Sequence, residues 1–341
     1  MNPKRRRRLE ARETIFRARL MDWYDTHARA LPWRERPRAG KRGDPYRVWL
    51  SEIMLQQTRV VAVIEHYHEF LRRFPTVEKL AAAREASVLA AWTGLGYYRR
   101  ARMLHAAAKV VVRELEGTFP STAEGWRALP GIGRYTAAAI ASIAYGEAVA
   151  VVDGNVERVL QRGLGEWLAG EKLWKAAEEF LDRERPGDFN QAMMELGATV
   201  CKPRSPACLT CPVVELCATR GEMESAEKAA RQQKREIHYA LDFRGANGSR
   251  DVFLVQRARD ASLMAGMWEL PEIPAPGNRA KPALTLRHSI TVTDYTVRVW
   301  RMASPGEVQG KWVGLARTNK IPLTGLARKI LRRAQFKSEA D

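Results

Sequence analysis

The sequence predicts a mainly helical N-terminal region followed by a smaller α+β domain. Between residues 9 and 226, segments such as 45–74, 88–115 and 173–184 carry apolar residues at steps of three and four, with Pro and Gly at the breaks. In the last third of the chain, apolar and polar residues alternate, as in 237–243, with the period of a strand. A polar, charged stretch separates the two patterns, which therefore indicate two kinds of fold in one chain.

The predicted domain organisation has four parts. Residues 1–31 and 148–221 are predicted to form one helical domain, which carries a cysteine-rich loop, and residues 32–147 a second, which carries a helical hairpin. Residues 222–236, EMESAEKAARQQKRE, are predicted to be a linker or an exposed helix. Residues 237–341 are predicted to form the α+β domain and to end in a helix, TGLARKILRRAQF.

The charge of the chain indicates a polyanionic partner. Its 57 Lys and Arg exceed its 39 Asp and Glu, which gives a net charge of +18, so nucleic acid is the leading candidate. A membrane surface is the rival, but no apolar run approaches the roughly 18 residues of a spanning helix. The N-terminus is basic, with an arm at Lys4–Arg8, and lacks the apolar core of a secretory signal. We therefore expect a reducing, intracellular compartment.

The cysteines form a single group. All four lie in one short stretch: Cys201, Cys208, Cys211 and Cys217. In a reducing compartment such thiols bind metal or do chemistry rather than form disulfides. One C-x2-C with wide flanks differs from the paired units of most zinc ribbons, and three prolines allow the backbone to wrap a larger guest. A [4Fe–4S] cluster is therefore predicted, with zinc and free thiols as alternatives.

A helical hairpin is predicted in the stretch LPGIGRYTAAAI, Leu129–Ile140. Gly131 and Gly133 allow a tight turn before a helix of small residues. The N-terminus of that helix offers unpaired N–H groups and a favourable dipole to a DNA phosphate. A plain helix–turn–helix connection is the alternative.

Several motifs carry a resemblance to a known family. With the hairpin and the cysteine loop, LPWRE, WLSEIMLQQT, WTGLGYYRRAR, DGNVERVL and FNQAMMELGA resemble the helix-hairpin-helix DNA glycosylases of the endonuclease III superfamily. More narrowly, they are similar to the adenine DNA glycosylase (MutY) family, closely over residues 20–220 and more loosely beyond. The resemblance implies a monomeric repair enzyme of the bacterial cytoplasm and nucleoid, with no membrane association. Its implied reaction is removal of flipped adenine paired with 8-oxoguanine or guanine, by hydrolysis of the N-glycosidic bond.

Such a reaction needs two carboxylates in different environments, because adenine must receive a proton and the sugar develops positive charge. Glu52 lies among apolar residues in VWLSEIML, which disfavour its charged form; an exposed helix position is the alternative. The family's matching Glu acts on adenine N7 and later on water. Asp153 would stabilise the oxocarbenium ion or trap it covalently, and both remain open; on residues alone it could be a helix N-cap. Asn155 would orient the catalytic water.

Tyr135 bears on the class of glycosylase. In relatives that also cleave the strand, this position holds a Lys that attacks the sugar through its amine. A phenol cannot form a Schiff base, so base excision without an efficient lyase step is predicted, with Tyr135 packed and hydrogen-bonded beside Asp153. Two alternatives stay open: a bifunctional glycosylase and lyase for oxidised pyrimidines, and a noncatalytic iron–sulfur DNA-binding protein.

The resemblance also assigns residues that contact DNA. Four match positions around the flipped adenine: Arg29, Trp33, Arg34 and Glu195. Gln57 and Tyr97 match residues that wedge into the duplex; Tyr98 is the alternative to Tyr97, and whichever does not insert would be core.

The C-terminal module resembles a Nudix-like domain that recognises 8-oxoguanine. The likeness rests on VFLVQRARDASLMAGMWELPEI, and the catalytic signature of Nudix hydrolases is not visible in the sequence. Where the family often has a Phe-Ser-His loop, this chain has RHSITVTD. His288, Ser289 and Thr291 are therefore the candidates for reading the lesion, and a purely structural histidine is the alternative.

Overall fold

The computed structural model describes most of the chain. The described ranges are 3–34, 43–223, 233–245, 250–258, 260–261, 264–277, 281–290, 293–306 and 308–337. The helices in these ranges are α1 (Pro3–His27), α2 (Pro45–Leu55), α3 (Val60–Arg73), α4 (Val77–Ala81), α5 (Glu85–Ala91), α6 (Arg99–Glu114), α7 (Ala123–Arg127), α8 (Arg134–Ile140), α9 (Gly154–Leu164), α10 (Gly170–Phe180), α11 (Pro186–Thr199) and α12 (Gly325–Lys337). The strands are β1 (Gln233–Leu241), β2 (Phe243–Arg244), β3 (Asp251–Gln256), β4 (Trp268–Glu269), β5 (Glu272–Ile273), β6 (Leu284–Ile290), β7 (Thr293–Arg301) and β8 (Lys311–Gly314).

The described residues form two compact units. The first contains those up to residue 81 and those of 106–223, and it is helical; the second contains 82–105 and 233–337. The predicted change from helical to strand period near the C-terminal third is confirmed. No helix within the described ranges has the length and apolar content to cross a lipid bilayer.

Helix α2 is the central helix of the first unit. The Asp44 side chain caps its N-terminus by accepting hydrogen bonds from the N–H groups of Tyr46 and Arg47, and Pro45 occupies the first turn. From Val48 to Met54 every residue is buried, although one of them is a glutamate. This helix therefore carries a carboxyl group into the interior.

Helix α11 packs closely on two neighbours because it has glycine at both contacts. A Cβ on Gly187 would lie 2.6 Å from the Ser142 carbonyl oxygen, in a π-helical turn that follows α8. A Cβ on Gly197 would lie 2.5 Å from Asn155 Cβ at the start of α9. These approaches are closer than any side chain allows, so α11 fixes the turn and the helix relative to each other.

The second unit contains mixed sheets and helices, as predicted in outline. One sheet has the order β5-β1-β7-β6, with β1 parallel to β7 and both outer strands antiparallel. The other joins β2, β3, β4 and β8. Helix α12 buries Leu326, Ile330 and Leu331 in the core of this unit. The sheet and helix form a separate hydrophobic core.

Residues 82–105 belong to the second unit, whereas the sequence predicts them within a helical domain at 32–147. Two hydrogen bonds connect this segment to the C-terminal part of its unit. The buried Tyr98 hydroxyl donates to the Leu323 carbonyl oxygen at 3.1 Å, and the Arg102 guanidinium donates to the carbonyl oxygen of Ala265. Of the linker predicted at 222–236, residues 224–232 lie outside the described residues and residues 233–236 belong to β1 instead, because they pair with β7. The other predicted domain boundaries stay predictions.

Candidate functional site

The buried carboxyl group on α2 is Glu52. Its side chain meets Tyr135, which stands in the first turn of α8, and the phenol donates a hydrogen bond to Glu52 Oε2 at 2.9 Å. Tyr135 Oη also lies 3.2 Å from Met194 Sδ. The sequence predicts Tyr135 beside Asp153, but the carboxylate that it contacts directly is that of Glu52. The alternative of an exposed helix position for Glu52 is wrong, since the residue is 6% exposed.

Burial changes the protonation of this pair. It raises the pKa of Glu52 to about 7, an effect that the hydrogen bond from Tyr135 opposes, the negative charge of Asp153 reinforces and the positive charge of Arg34 opposes. Burial, with the charges of Glu52 and Asp153, raises the pKa of Tyr135 well above its usual range. Near neutral pH the site therefore holds a neutral phenol beside a carboxyl group that readily carries a proton. Since Asp153 acts electrostatically on both groups, the three side chains share one site.

Asp153 is the N-cap of α9. Its Oδ1 accepts hydrogen bonds from the N–H groups of Asn155 and Val156 at 2.9 and 2.8 Å, and its Oδ2 accepts one from Asn155 Nδ2 at 2.9 Å. The N-cap alternative is thus part of the structure, and it does not exclude a catalytic role. The cap fixes the carboxylate in one place, and Asn155 lies directly on it.

Arg158 connects this cap to the cysteine loop. Its guanidinium donates to Asn155 Oδ1 at 2.9 Å, to the Gly197 carbonyl oxygen at 2.7 Å and to the Cys201 carbonyl oxygen at 2.7 Å. One side chain therefore ties the start of α9 to α11 and to the first cysteine.

A second carboxylate on α11 holds two arginines. Glu195, 1% exposed, accepts hydrogen bonds from Arg29 Nε at 2.5 Å and Nη2 at 2.9 Å, and Arg34 Nη2 lies 2.9 Å from Glu195 Oε2. Burial alone raises the pKa of Glu195, but the hydrogen bond from Arg29 and the charge of Arg34 outweigh it, so that pKa lies below its usual value. Of the four residues assigned to the adenine pocket, three thus form one charged cluster. The fourth, Trp33, is half-buried and packs edge-on against Tyr67 with ring centroids 5.4 Å apart.

A cleft of about 520 Å³ opens beside the two arginines. Tyr24, Leu31 and His68 also line it. Glu52 and Asp153 are not among its described lining residues, so the cleft gives access to the arginines rather than to the carboxyl pair.

The two glycines of the predicted hairpin serve different purposes. Gly131 has φ 75°, which only glycine adopts without strain. Gly133 has φ −90° and needs no special conformation, but a Cβ there would meet nothing within 4 Å. It is the N-cap of α8, which has no side-chain cap. Open space therefore adjoins the Cα of this N-cap residue.

Each of the two residues expected to wedge into DNA has a strained backbone conformation. Gln57 has φ 53° and is exposed; Tyr97 has φ 45° and is 50% exposed. The left-handed region is costly for such residues and persists where surrounding structure imposes it, often at functional sites. Beneath Tyr97, the Arg100 guanidinium lies 5.7 Å from its ring centroid and 5.4 Å from that of Trp92. Of the two adjacent tyrosines, Tyr97 and Tyr98, it is Tyr98 that lies in the core.

The four cysteines are free and partly exposed. Three of them line a small cavity with Arg162 and Leu196. Arg162 Nη1 lies 3.5 Å from Cys201 Sγ, and the Arg220 N–H lies 3.4 Å from Cys217 Sγ. Among the described residues, no three His, Cys, Asp or Glu side chains converge where a single metal ion could sit, and the buried Nε of Arg162 has no hydrogen-bond partner there. Three thiols that line one cavity beside a guanidinium N–H unpartnered in the described part of the chain fit a group with sulfur ligands.

The candidate lesion-reading residues lie at one end of β6. The Ser289 hydroxyl is 2.5 Å from Asp294 Oδ1 on the paired strand β7. His288 is half-buried, and burial with the nearby charge of Lys329 lowers the pKa of its imidazole. Thr291 lies outside the described residues. Two polar side chains therefore stand where the β6–β7 hairpin turns.

Sequence reasoning missed Met194 and Arg158 as parts of this site. Met194 contacts Tyr135 and belongs to the same motif as Glu195, FNQAMMELGA, from which only the glutamate was singled out. The signal for Met194 was its place directly before Glu195 in that motif. Nothing in the sequence indicated that Arg158 also contacts Gly197 and Cys201, because these residues lie 39 and 43 positions away in the chain.

Comparison with known proteins gives consistent matches. Residues 50–181 match the family model of the HhH-GPD superfamily base excision DNA repair protein. The chain is 41% identical over 319 residues to the adenine DNA glycosylase of Homo sapiens, covering 77% of this chain and 58% of that protein. It is 33% identical over 318 residues to the adenine DNA glycosylase of Schizosaccharomyces pombe, covering 76% of this chain and 69% of that protein. It spans 50–61% of the length of its mammalian and plant relatives.

The fold of the helical region is also found in solved structures. A thermostable thymine-DNA glycosylase superposes with a TM-score of 0.57 and 29% identity, over 62% of this chain and 97% of that one. The hairpin and the helices around it are therefore those of a known architecture.

Proposed function

Since this chain belongs to the adenine DNA glycosylase family, we propose that it hydrolyses the N-glycosidic bond of adenine in duplex DNA. The observation that carries the proposal is the buried Glu52, whose pKa is raised to about 7 beside a neutral phenol and a second carboxylate. An acid with such a pKa is suited to give up a proton near neutral pH.

Glu52 would protonate the leaving base. Adenine departs poorly as an anion, so a proton must reach the ring as the bond to the sugar breaks. Tyr135 donates to Oε2, which leaves Oε1 as the oxygen that delivers the proton. After the base has left, the resulting carboxylate can take a proton from the attacking water.

Asp153 would stabilise the positive charge that develops on the sugar. A fixed carboxylate does this without reorganisation, because the cap on α9 already holds it in place. Asn155 Nδ2 contacts the same carboxylate at 2.9 Å and would orient water toward the anomeric carbon. Electrostatic stabilisation and a covalent intermediate both fit this geometry.

The charged cluster of Arg29, Arg34 and Glu195 would receive the flipped adenine. Its three charges are already paired, so the guanidinium groups keep fixed orientations and can offer N–H donors to the ring nitrogens of the base. Trp33 supplies a flat apolar surface nearby. We propose that the base is flipped into this region before excision.

Contacts with the DNA backbone would be largely electrostatic. The net charge of +18 and the uncapped N-terminus of α8 favour phosphates over bases. Gln57 and Tyr97 would enter the base stack, where aromatic stacking contributes about 1–3 kcal/mol per base.

A [4Fe–4S] cluster would be held by Cys201, Cys208, Cys211 and Cys217. The positive charge of Arg162 and the N–H group of Arg220 adjoin two of these sulfurs, and both would stabilise thiolate ligands. When bound, such a cluster supplies a rigid cross-link between distant turns of the loop. The proposed chemistry takes place at Glu52 and Asp153 and does not involve it.

The C-terminal unit would restrict excision to mispaired adenine. We propose that it is a Nudix-like recognition domain and that 8-oxoguanine, or guanine, opposite the adenine is its ligand. His288 and Ser289 are the described candidates, since both can donate or accept hydrogen bonds. Base excision would then proceed without strand cleavage, in a monomer acting on the DNA of a bacterial cytoplasm.

An excision assay tests the proposal directly. End-labelled duplexes carrying adenine opposite 8-oxoguanine, guanine or thymine are incubated with excess protein, and each sample is divided before alkali treatment. We expect alkali-dependent cleavage at adenine opposite 8-oxoguanine and guanine, little opposite thymine, and none without alkali. Analysis of the same preparation for iron and acid-labile sulfide tests the cluster.

Two outcomes would contradict parts of the proposal. Intact adenine in both mispairs after alkali would exclude the activity. Strand cleavage before alkali, on these duplexes or on one with an oxidised pyrimidine, would favour the bifunctional alternative over the monofunctional enzyme.

A further inference from the structure

The segment that leads into Asp153 has no sheet to hold it. Residues 146–153 follow the π-helical turn, are not in a helix or strand, and pack partly inside the first unit. Buried main-chain N–H and C=O groups must find partners, or each one costs as much as a lost hydrogen bond. The position of this segment therefore depends on whatever satisfies those groups.

Side chains from two helices satisfy them. Asn190 Oδ1 accepts a hydrogen bond from the Val151 N–H at 3.2 Å, and Asn190 Nδ2 donates to the Val149 carbonyl oxygen at 2.9 Å. Between these contacts, the Ala150 N–H donates to Glu178 Oε1 at 2.9 Å. Asn190 thus replaces a neighbouring strand, since its amide offers one acceptor and one donor to the same short segment.

Asn190 is itself rigidly held. It is 2% exposed, and its Nδ2 also donates to Ser142 Oγ at 2.9 Å. The helix that carries it cannot slide, because Gly187 and Gly197 bring α11 against the residues before and after the segment. The amide of Asn190 is therefore held in place on both sides of residues 146–153, by Ser142 before them and by the contact of α11 with Asn155 after them.

We propose that Asn190 is a positioning residue for excision: by clamping Val149 and Val151, it sets where the Asp153 carboxylate lies relative to Glu52. The inference rests on the proposed function and deepens it. Val151 is two residues before Asp153, so a shift of the clamp is passed to the carboxylate through one intervening residue. A misplacement of about 1 Å can reduce a rate roughly 100-fold.

The proposal has a consequence for the pH dependence of excision. Three ionisable groups act on Glu52: Tyr135, Asp153 and Arg34. Asp153 repels the ionised form of Glu52, and without the clamp the two carboxylates would separate when both are charged. The repulsion that raises the pKa of Glu52 would then weaken, and the acid would lose its proton at lower pH.

The experiment compares three variants under single-turnover conditions on the duplex with adenine opposite 8-oxoguanine, across the pH range around neutrality. Asn190→Leu keeps the branched arrangement of heavy atoms and removes both contacts with the segment. Asn190→Asp retains the acceptor for the Val151 N–H and loses the donor. Tyr46→Phe is the control, because it removes another buried hydrogen bond, to the Phe74 carbonyl oxygen, away from Asp153.

We expect excision by Asn190→Leu to fall about 100-fold, with the alkaline limb of its pH–rate profile moved to lower pH. Asn190→Asp should lie between it and the wild type in rate. Tyr46→Phe should excise adenine at the wild-type rate, and the alkaline limb of its pH–rate profile should stay at the wild-type pH. This holds even if the midpoint of its unfolding transition is lower.

The inference fails if Asn190→Leu and Asn190→Asp excise adenine within twofold of the wild type. It also fails if their excision rates fall while the alkaline limb of the pH–rate profile stays at the wild-type pH. That pattern indicates only a loss of folded protein. If Asn190→Leu does not fold, Asn190→Asp decides by the same two criteria. A wild-type protein without excision activity would instead refute the proposed function.

Discussion

Glu52 and Glu195 are both buried in the first unit, yet their pKa values are shifted in opposite directions. Glu52 meets a phenol and the negative charge of Asp153, and its pKa rises to about 7. Glu195 meets two guanidinium groups, and its pKa is lowered despite its burial. The comparison teaches that burial makes a carboxyl group sensitive to its neighbours, and that the neighbours decide its charge.

This difference assigns the two groups different tasks. A carboxyl group that titrates near neutral pH can transfer a proton, whereas one held ionised by arginines can only orient and pair. Substitutions that remove one glutamate or its neighbour should therefore have distinct signatures in rate, stability and pH dependence.

The largest effect is expected for Glu52→Gln. An amide keeps the shape and cannot deliver the proton, so single-turnover excision should fall by about 10²–10⁴-fold. Asp153→Asn removes the fixed negative charge and should cost about 10²–10³-fold. Binding of both variants to the same duplex, followed by fluorescence anisotropy, serves as the control and should stay close to wild type. Wild-type excision rates in either variant would contradict the assigned roles.

Glu195→Gln should chiefly reduce stability. It leaves Arg29 and Arg34 without their carboxylate, and breaking a buried pair costs about 3–5 kcal/mol. Since the Arg29 side chain is 39% exposed, we expect a loss in the unfolding free energy of about 3 kcal/mol, measured by urea denaturation.

Glu69 offers a matched control for that measurement. It also pairs with two arginines, Arg72 and Arg73, but on the exposed surface of α3. Glu69→Gln should change stability little, because solvent screens exposed pairs. Equal losses in the two variants would show that burial is irrelevant to the pairing.

The free energy of unfolding should depend on pH through Glu52, because the pKa of this group is raised in the folded protein. The folded protein keeps the Glu52 proton up to about pH 7, while the unfolded chain releases it near the ordinary value of about 4.3. The contribution of Glu52 is thus present at low pH and lost as pH rises through about 7, on the order of 3 kcal/mol in total. Urea denaturation of wild type and Glu52→Gln across this range should show the variant gaining relative stability as pH rises. A constant difference would contradict the raised pKa.

The smallest effect is expected for Tyr135→Phe. The hydrogen bond from Tyr135 lowers the pKa of Glu52, so its removal should move the alkaline limb of the excision profile to higher pH. One neutral hydrogen bond contributes about 0.5–1.5 kcal/mol, which corresponds to a rate change of a few-fold to about tenfold. A limb that moves to lower pH would show that the phenol acts in the opposite sense.

The sequence was a good guide to elements and to isolated site residues. Apolar steps of three and four predicted α2, α3 and α10, and the alternation in 237–243 predicted most of β1, because both patterns follow from which face is buried. Glu52 could be predicted as an acid with a raised pKa, since its apolar neighbours in the chain are also its neighbours in the helix.

Contacts between distant segments were harder to predict. Tyr135 was expected beside Asp153 but donates to Glu52, 83 residues away in the chain. The grouping of 82–105 with the C-terminal unit involves contacts with residues more than 160 positions away, such as Tyr98 with Leu323 and Arg102 with Ala265, which leave no periodic pattern. The clamp formed by Asn190 likewise replaces a strand, and nothing in local propensity indicates that a side chain will do so.

Gly197 shows how such a site could be lost without obvious damage. Alanine is the best helix former, so Gly197→Ala would appear harmless by any measure of local propensity. Its methyl group, however, would fall 2.5 Å from Asn155 Cβ and would push the first turn of α9 away from α11. Such a variant would be folded and abundant while the residues proposed for excision no longer stand in register, so the amount of protein would be a poor guide to its activity.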